Sequence, residues 1–278
     1  MTESVLFERL AGIIKGLGSA VVACSGGVDS TFLLKAVKLS GIRALAVTSA
    51  SASHPEWDVR TAVDMAAATG VAHRIIRTRE LENPDYSSNT PMRCYACKDE
   101  LFRALGEIAK NEGFAHVIDG STADDISDFR PGLRAARHHG VRSPLMEAGL
   151  GKNEIRQLSR QLGLPTWDKP SSPCFASRVP YGTPITEARL ARIALSETAL
   201  RELGLREFRV RDHGDVARVE VAPEEFPFAF GIREGIVERL RAHFRFVCLD
   251  LEGFRTGSLN RVLDGGRDMD GGAGDEKK

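Results

Sequence analysis

The chain has 278 residues, enough for one large domain or two ordinary ones, and 42% of them are hydrophobic, as in a globular protein. Its 38 basic and 38 acidic residues cancel, which argues against a dedicated nucleic-acid binder. No apolar run reaches transmembrane length, the start lacks a signal-peptide pattern, and five cysteines point to thiol or metal chemistry before disulfides; a cytoplasmic protein with no membrane partner is expected.

Val5, Leu6, Leu10, Ile13, Ile14 and Leu17 recur at helical spacing and predict an amphipathic helix over 3–17. Strands over 19–24, 43–48, 73–77 and 115–119 then alternate with helices over 30–39, 55–69, 96–111 and 152–163. Such alternation predicts right-handed βαβ units: an α/β fold with a doubly wound parallel sheet and helices on both faces. Its ligand crevice would lie beyond the C-terminal strand ends. After Pro180 the pattern changes to a helix over 186–203, strands over 206–211 and 216–221, a helix near 231–243 and a strand over 245–251. The expected organisation is therefore a first domain over 1–180 and a smaller α+β domain over 181–263. The Gly-rich, charged tail over 264–278 has almost nothing to bury and is expected to be disordered.

Residues 24–30 read Cys-Ser-Gly-Gly-Val-Asp-Ser, between the apolar run over 20–23 and the helical pattern that starts at Thr31. Gly26 and Gly27 let the backbone approach a ligand closely, and the new helix turns its first N–H groups toward an anion. Ser25 and Ser30 carry hydroxyls that can donate to phosphate oxygens. Asp29 is out of place beside phosphates unless a divalent cation such as Mg²⁺ lies between them. Neither Gly-x4-Gly-Lys-Ser/Thr nor Gly-x-Gly-x-x-Gly occurs in this loop, so it is neither a Walker loop nor a dinucleotide fingerprint. It resembles the PP-loop of the ATP pyrophosphatases, which implies ATP binding, transfer of AMP to a substrate oxygen and release of pyrophosphate.

Further constellations follow along the chain. Cys94 and Cys97 form a Cys-x-x-Cys at an expected loop-to-helix junction, either a redox dithiol or part of a zinc or iron–sulfur site. Asp119, Asp124 and Asp125, continued by Asp128, follow the fourth strand; they suit Mg²⁺ beside a triphosphate, or a helix cap. Cys174 lies between Pro173 and Pro180 in an extended loop, with Lys169 and Arg178 placed to lower its pKa. Cys24 and Cys248 fall in apolar strands and read as buried filler, and Trp57 and Trp167 as packing residues. Arg209 and Arg211 are two apart on a strand and share a face, which suits a phosphate, a carboxylate or plain solvation. Lys98 and Lys152 are candidate phosphate-neutralising cations that no motif fixes.

Taken together and in order, the Ser25–Ser30 loop, Arg93-Cys94-Tyr95, Asp119-Gly120 with Ala123-Asp124-Asp125, Arg130-Pro131-Gly132, Lys169-Pro170, the run from Pro173 to Arg178, Pro180-Tyr181-Gly182 and Arg209-Val210-Arg211 resemble the LarE family of ATP-dependent sulfur transferases. The likeness spans roughly residues 5–262. It implies an N-terminal ATP-pyrophosphatase domain, a C-terminal domain that assists oligomerisation, and a homo-oligomer. It implies a small-molecule nucleotide substrate, pyridinium-3,5-dicarboxylic acid mononucleotide, whose carboxylates become thiocarboxylates for a nickel-pincer cofactor. Ser25, Gly26, Gly27, Asp29, Ser30 and Asp124 would then hold ATP, with Mg²⁺ on Asp29. Arg209 and Arg211, with Glu197 nearby, would hold the substrate phosphate. Cys174 takes the place of the family's reactive cysteine. In single-cysteine members that residue gives up its own sulfur. The set Cys94, Cys97 and Cys174 instead resembles the subtype whose three thiolates hold a [4Fe–4S] cluster. The sulfide donor is left open. The competing readings are a tRNA thiolase, an ammonia-using amidotransferase, and a non-catalytic ATP or AMP sensor.

Overall fold

The computed structural model describes residues 3–126 and 131–255. Arg130, Asp128 and the 264–278 tail lie outside the described residues. The chain divides into two compact units between Ala194 and Leu195, whereas the change of sequence pattern put the boundary at Pro180.

The first unit runs α1 (Glu3–Leu17), β1 (Ser19–Ala23), α2 (Val28–Ser40), β2 (Arg43–Ala50), α3 (Glu56–Thr69), β3 (Ala72–Arg77), the short α4 (Pro84–Ser87), α5 (Arg93–Glu112), β4 (His116–Ile118), α6 (Pro131–His138), α7 (Pro144–Ala148), α8 (Lys152–Gln161) and the first half of α9 (Glu187–Glu202). Its four strands are parallel in the order β3-β2-β1-β4. The apolar run that forms β1 is buried on both faces, as a central parallel strand requires. One face is covered by Leu10, Phe32, Leu34 and Leu145, and the other by Phe102, Leu105 and Ala135. β1 lies between β2 and β4, so the order reverses there, and the crevice of a doubly wound sheet opens at that switch point. The Ser25–Ser30 loop leaves β1 and the Asp119 loop leaves β4, which puts both at that crevice. Leu190 and Ile193 of α9 pack with Tyr86, Phe175 and Val179, which ties the start of α9 to the first unit.

The second unit holds the rest of α9, β5 (Phe208–His213), β6 (Val216–Val221), α10 (Phe226–Gly231), α11 (Arg233–Leu240) and β7 (Phe246–Leu249). β5 and β6 are antiparallel, β6 and β7 parallel. Leu200, Phe208, Val210, Val219, Ile236 and Leu240 form its core. β7 is an edge strand, so its side chains alternate outward and Cys248 is exposed, contrary to the filler expected from its apolar neighbours. No helix among the described residues is long and apolar enough to cross a membrane.

Candidate functional site

Gly26 has φ 74°, and a Cβ on it would lie 2.2 Å from the Asp58 carbonyl oxygen of α3. Glycine is therefore required twice, by conformation and by close approach. Gly27 precedes α2, and no side chain caps the helix there. No side chain therefore takes up the first-turn N–H groups from the cap position. Ser25 and Ser30 face one another: their hydroxyls are 3.2 Å apart, the Ser25 N–H donates to Ser30 Oγ, and Ser30 Oγ donates to the Gly27 carbonyl. Asp29 occupies the first turn of α2, half-buried. A Cβ on Gly120 would meet the Ser30 backbone at 3.1 Å, so the β4 loop packs directly on the start of α2.

The carboxylates of the β4 loop are committed locally. Asp119 accepts from the Ser121 N–H and hydroxyl and from Ser143 Oγ. Asp125 accepts from the Thr122 N–H, and Asp124 accepts from the Lys152 N–H at the start of α8. Asp124 thus acts as a cap at the start of α8. Lys98 lies over the Phe102 ring, 5.5 Å from its centroid.

The cation built into the phosphate loop is Lys169. Expected beside Cys174, it instead donates to the Gly26 carbonyl at 2.9 Å and to Thr61 Oγ1, and it pairs with the buried Asp58 at 2.8 Å. Ser172 Oγ donates to the same Asp58 at 2.6 Å. Two residues on, Cys174 is followed by Phe175, whose N–H donates to the Ser53 carbonyl at 2.8 Å and whose ring meets Trp57 edge-on. Arg178, 1% exposed, donates to the carbonyls of Pro173 and Cys174. Trp57 is the packing residue expected, whereas Trp167 is 37% exposed under the Arg160 guanidinium.

Cys94 and Cys97 stand one turn apart at the start of α5, so the helix begins earlier than the sequence pattern suggested. Cys97 and Cys174 pack against the same apolar cluster. Burial and then the neighbouring Cys174 push the Cys97 thiol up, and Glu80 adds to this. Cys94 is exposed as a residue, yet its thiol is also raised by desolvation and by Cys174, against the pull of Arg93. Cys24 is the buried filler expected, its thiol raised by burial.

Two buried anchors gave no motif. Asn89 has φ 59°, is fully buried, and donates through Nδ2 to the carbonyls of Val179, Pro180 and Thr183, while its Oδ1 accepts from Arg93. It binds the segment after Cys174 to the turn before Cys94. Glu80 accepts from the hydroxyls of Ser51 and Ser53, which fixes the loop that receives the Phe175 N–H. Burial opposes its charge, but these donors prevail and hold the carboxyl below its usual range.

In the second unit β5 is buried on both faces apart from its last residue, which removes the solvated-face reading of Arg209 and Arg211. Arg211 pairs with the fully buried Glu220 at 2.7 Å, which also takes Arg218 at 3.0 Å. The Arg209 guanidinium lies 4.6 Å over Phe254 and donates to the Phe208 carbonyl. Glu197 accepts from the Val210 N–H. Glu197, Arg209 and Arg211, singled out together, are all buried.

No family model matches the chain. It is 36% identical over 259 residues to the pyridinium-3,5-bisthiocarboxylic acid mononucleotide synthase of Lactiplantibacillus plantarum, covering 91% of this chain and 93% of that one. The chain belongs to this synthase family, the LarE family. It is accordingly an enzyme, an ATP-dependent sulfurtransferase. An uncharacterised protein of Synechocystis is 43% identical over 95% of this chain and 99% of its own length. A tRNA-specific 2-thiouridylase of Beijerinckia indica is 30% identical, but over 60% of this chain and 47% of that protein. The fold is that of the NMN synthetase of Francisella tularensis, with TM-score 0.50 at 18% identity, over 62% of this chain and 76% of that one.

Proposed function

We propose that this LarE-family enzyme adenylates the carboxylates of pyridinium-3,5-dicarboxylic acid mononucleotide with ATP and converts them to thiocarboxylates for a nickel-pincer cofactor. One observation carries this reading. The segment bearing Cys174 is pinned at Lys169 to the Gly26 carbonyl, at Phe175 to the Ser53 carbonyl of the loop after β2, and at the 179–183 turn to Asn89, which also holds Arg93 next to Cys94. A nucleotide loop and a sulfur site are thereby joined through one short stretch of chain.

A carboxylate resists nucleophiles because its charge is delocalised and its leaving group would be oxide. In the proposed first step a substrate carboxylate oxygen attacks the α-phosphorus of ATP, the bond to the bridging oxygen breaks, and pyrophosphate leaves. The N–H groups at the start of α2, with Ser25 and Ser30, hold the departing phosphates. Asp29 would hold Mg²⁺, which supplies charge neutralisation there, with Asp124 at the edge of the same crevice. A sulfur nucleophile then attacks the acyl carbon, and AMP leaves with the electron pair of the broken C–O bond. Arg209 and Arg211, oriented by Glu197 and Glu220, are proposed to hold the substrate phosphate.

Cys94 and Cys97 stand one turn apart on α5, Cys174 shares the apolar cluster of Cys97, and these three would hold a [4Fe–4S] cluster; burial raises the thiols of Cys94 and Cys97, a penalty that a cationic metal centre would offset. Such a cluster would leave one iron to carry an extra sulfide, sparing the sulfur of Cys174. We further propose a cytoplasmic homo-oligomer of domains over 1–180 and 181–263, supplied by a sulfide donor of unassigned identity.

The test is pyrophosphate release with and without the dicarboxylate nucleotide. Release that depends on it, and that Asp29→Ala abolishes, supports the reading. Unchanged release in Asp29→Ala refutes the metal role, and activation by tRNA in place of the nucleotide favours the thiouridylase chemistry of the partial relatives.

A further inference from the structure

α5 presents two chemical faces. Cys97 packs with Phe175 on one, while Tyr95 and Phe102 belong to the core layer shared with α6. On this second side Asp99 meets the end of α6. Its Oδ1 lies 2.9 Å from His139 Nε2 and 3.6 Å from His138 Nδ1. Among the described residues these three are the group of histidine, cysteine or carboxylate ligand atoms that all fall within 4.8 Å of one another.

The spacing has a direct chemical reading. Zinc binds imidazole nitrogen and carboxylate oxygen at about 2.0–2.2 Å. Neighbouring ligand atoms around such an ion are then about 3 to 3.5 Å apart, for octahedral and tetrahedral shells respectively. The 2.9 and 3.6 Å separations bracket that range with both helices where they are. His139 is half-buried and stacks on Phe102 and on His138, which limits its rotamers. The Tyr95 hydroxyl lies 3.0 Å from the same His138 Nδ1, a hydrogen bond that gives way when an ion takes that nitrogen. Both histidines end α6, where the partial negative charge of a helix C-terminus favours a cation. His138 is 65% exposed, so one side of the site is open to water.

We propose that Asp99, His138 and His139 bind one first-row divalent cation in an N,N,O site. Two imidazoles and one carboxylate suit Zn²⁺, Co²⁺, Ni²⁺ or Fe²⁺ and do not suit Mg²⁺ or Ca²⁺, which prefer all-oxygen shells. The ion clamps α5 to α6 and so steadies the helix that presents Cys94 and Cys97. This site stands on α5 and α6 alone and is independent of the sulfur-transfer reading.

The experiment is a Co²⁺ titration of the full chain, chelator-treated and kept anaerobic, followed by visible absorption. The expected result is one equivalent with d–d bands and no thiolate charge-transfer absorption. His138→Ala, a change at an exposed position that removes little packing, weakens that equivalent at least about tenfold, and Asp99→Asn does the same. Cys94→Ser with Cys97→Ser leaves it in place. Zn²⁺ displaces the Co²⁺ and raises the melting temperature of the parent chain but not of His138→Ala. The site is refuted if no nitrogen- and oxygen-bound equivalent is seen, or if His138→Ala and Asp99→Asn bind Co²⁺ as the parent does.

Discussion

Gly26 and Asn89 do opposite jobs with the same unusual backbone. Both have positive φ, but Gly26 makes room while Asn89 fills it with hydrogen bonds. Gly26→Ala forces a Cβ into the Asp58 carbonyl and adds strain at φ 74°, so it should destabilise by more than about 1 kcal/mol and abolish nucleotide-dependent pyrophosphate release. Urea unfolding and a pyrophosphate assay check this; a parent-like protein contradicts it. Asn89→Ala removes three donated bonds and the acceptor of buried Arg93. The expected loss is on the order of 3 kcal/mol, read from urea unfolding, and a loss under about 1 kcal/mol would show that the staple is slack. Gly26, Ser25 and Ser30 were legible as a tight strand-to-helix turn because such a turn needs glycine and short hydroxyl side chains at close spacing. Asn89, Glu80 and Asp58 were not. They act on backbone groups and side chains far away in the chain, and no local pattern encodes such a partner. Lys169 was legible as a cation, but its partner was misread for the same reason.

At the scale of elements, the alternating strands and helices of the first unit came through because each segment is long and strongly periodic. The short α4, α6, α7 and α10 span too little chain to show a period, and β7 shows the limit for strands. Phe246-Val247-Cys248-Leu249 is apolar throughout, so periodicity cannot tell an edge strand from a central one. The loop after β2 also makes the protein acid-sensitive. His54 is buried, which holds its pKa below the ordinary value, while Glu80 on the same serines is held low by their hydroxyls. The unfolded chain therefore binds protons more readily at both residues. Stability from His54 is complete above its unfolded value of about 6.5 and is lost as pH falls toward its folded value. Stability from Glu80 is lost at lower pH still, as its carboxylate protonates. Melting temperature should drop between pH 7.5 and 5.5, and His54→Asn should flatten that drop. An equally steep profile in the variant would remove His54 from the account.

For the molecule as a whole, the first unit carries the Ser25–Ser30 loop tied through Lys169 to the segment of Cys174, and the second carries a buried pairing of Arg211 with Glu220. Family membership and the anchors agree on what should be made. The most direct measurement is mass spectrometry of the small molecules after incubating the anaerobic protein, loaded with iron and sulfide, with ATP, Mg²⁺ and pyridinium-3,5-dicarboxylic acid mononucleotide. The account predicts a thiocarboxylate product that appears together with AMP and pyrophosphate and that is lost in Cys174→Ser. AMP and pyrophosphate formed without any sulfur in the nucleotide, or an unchanged thiocarboxylate yield in Cys174→Ser, would contradict it.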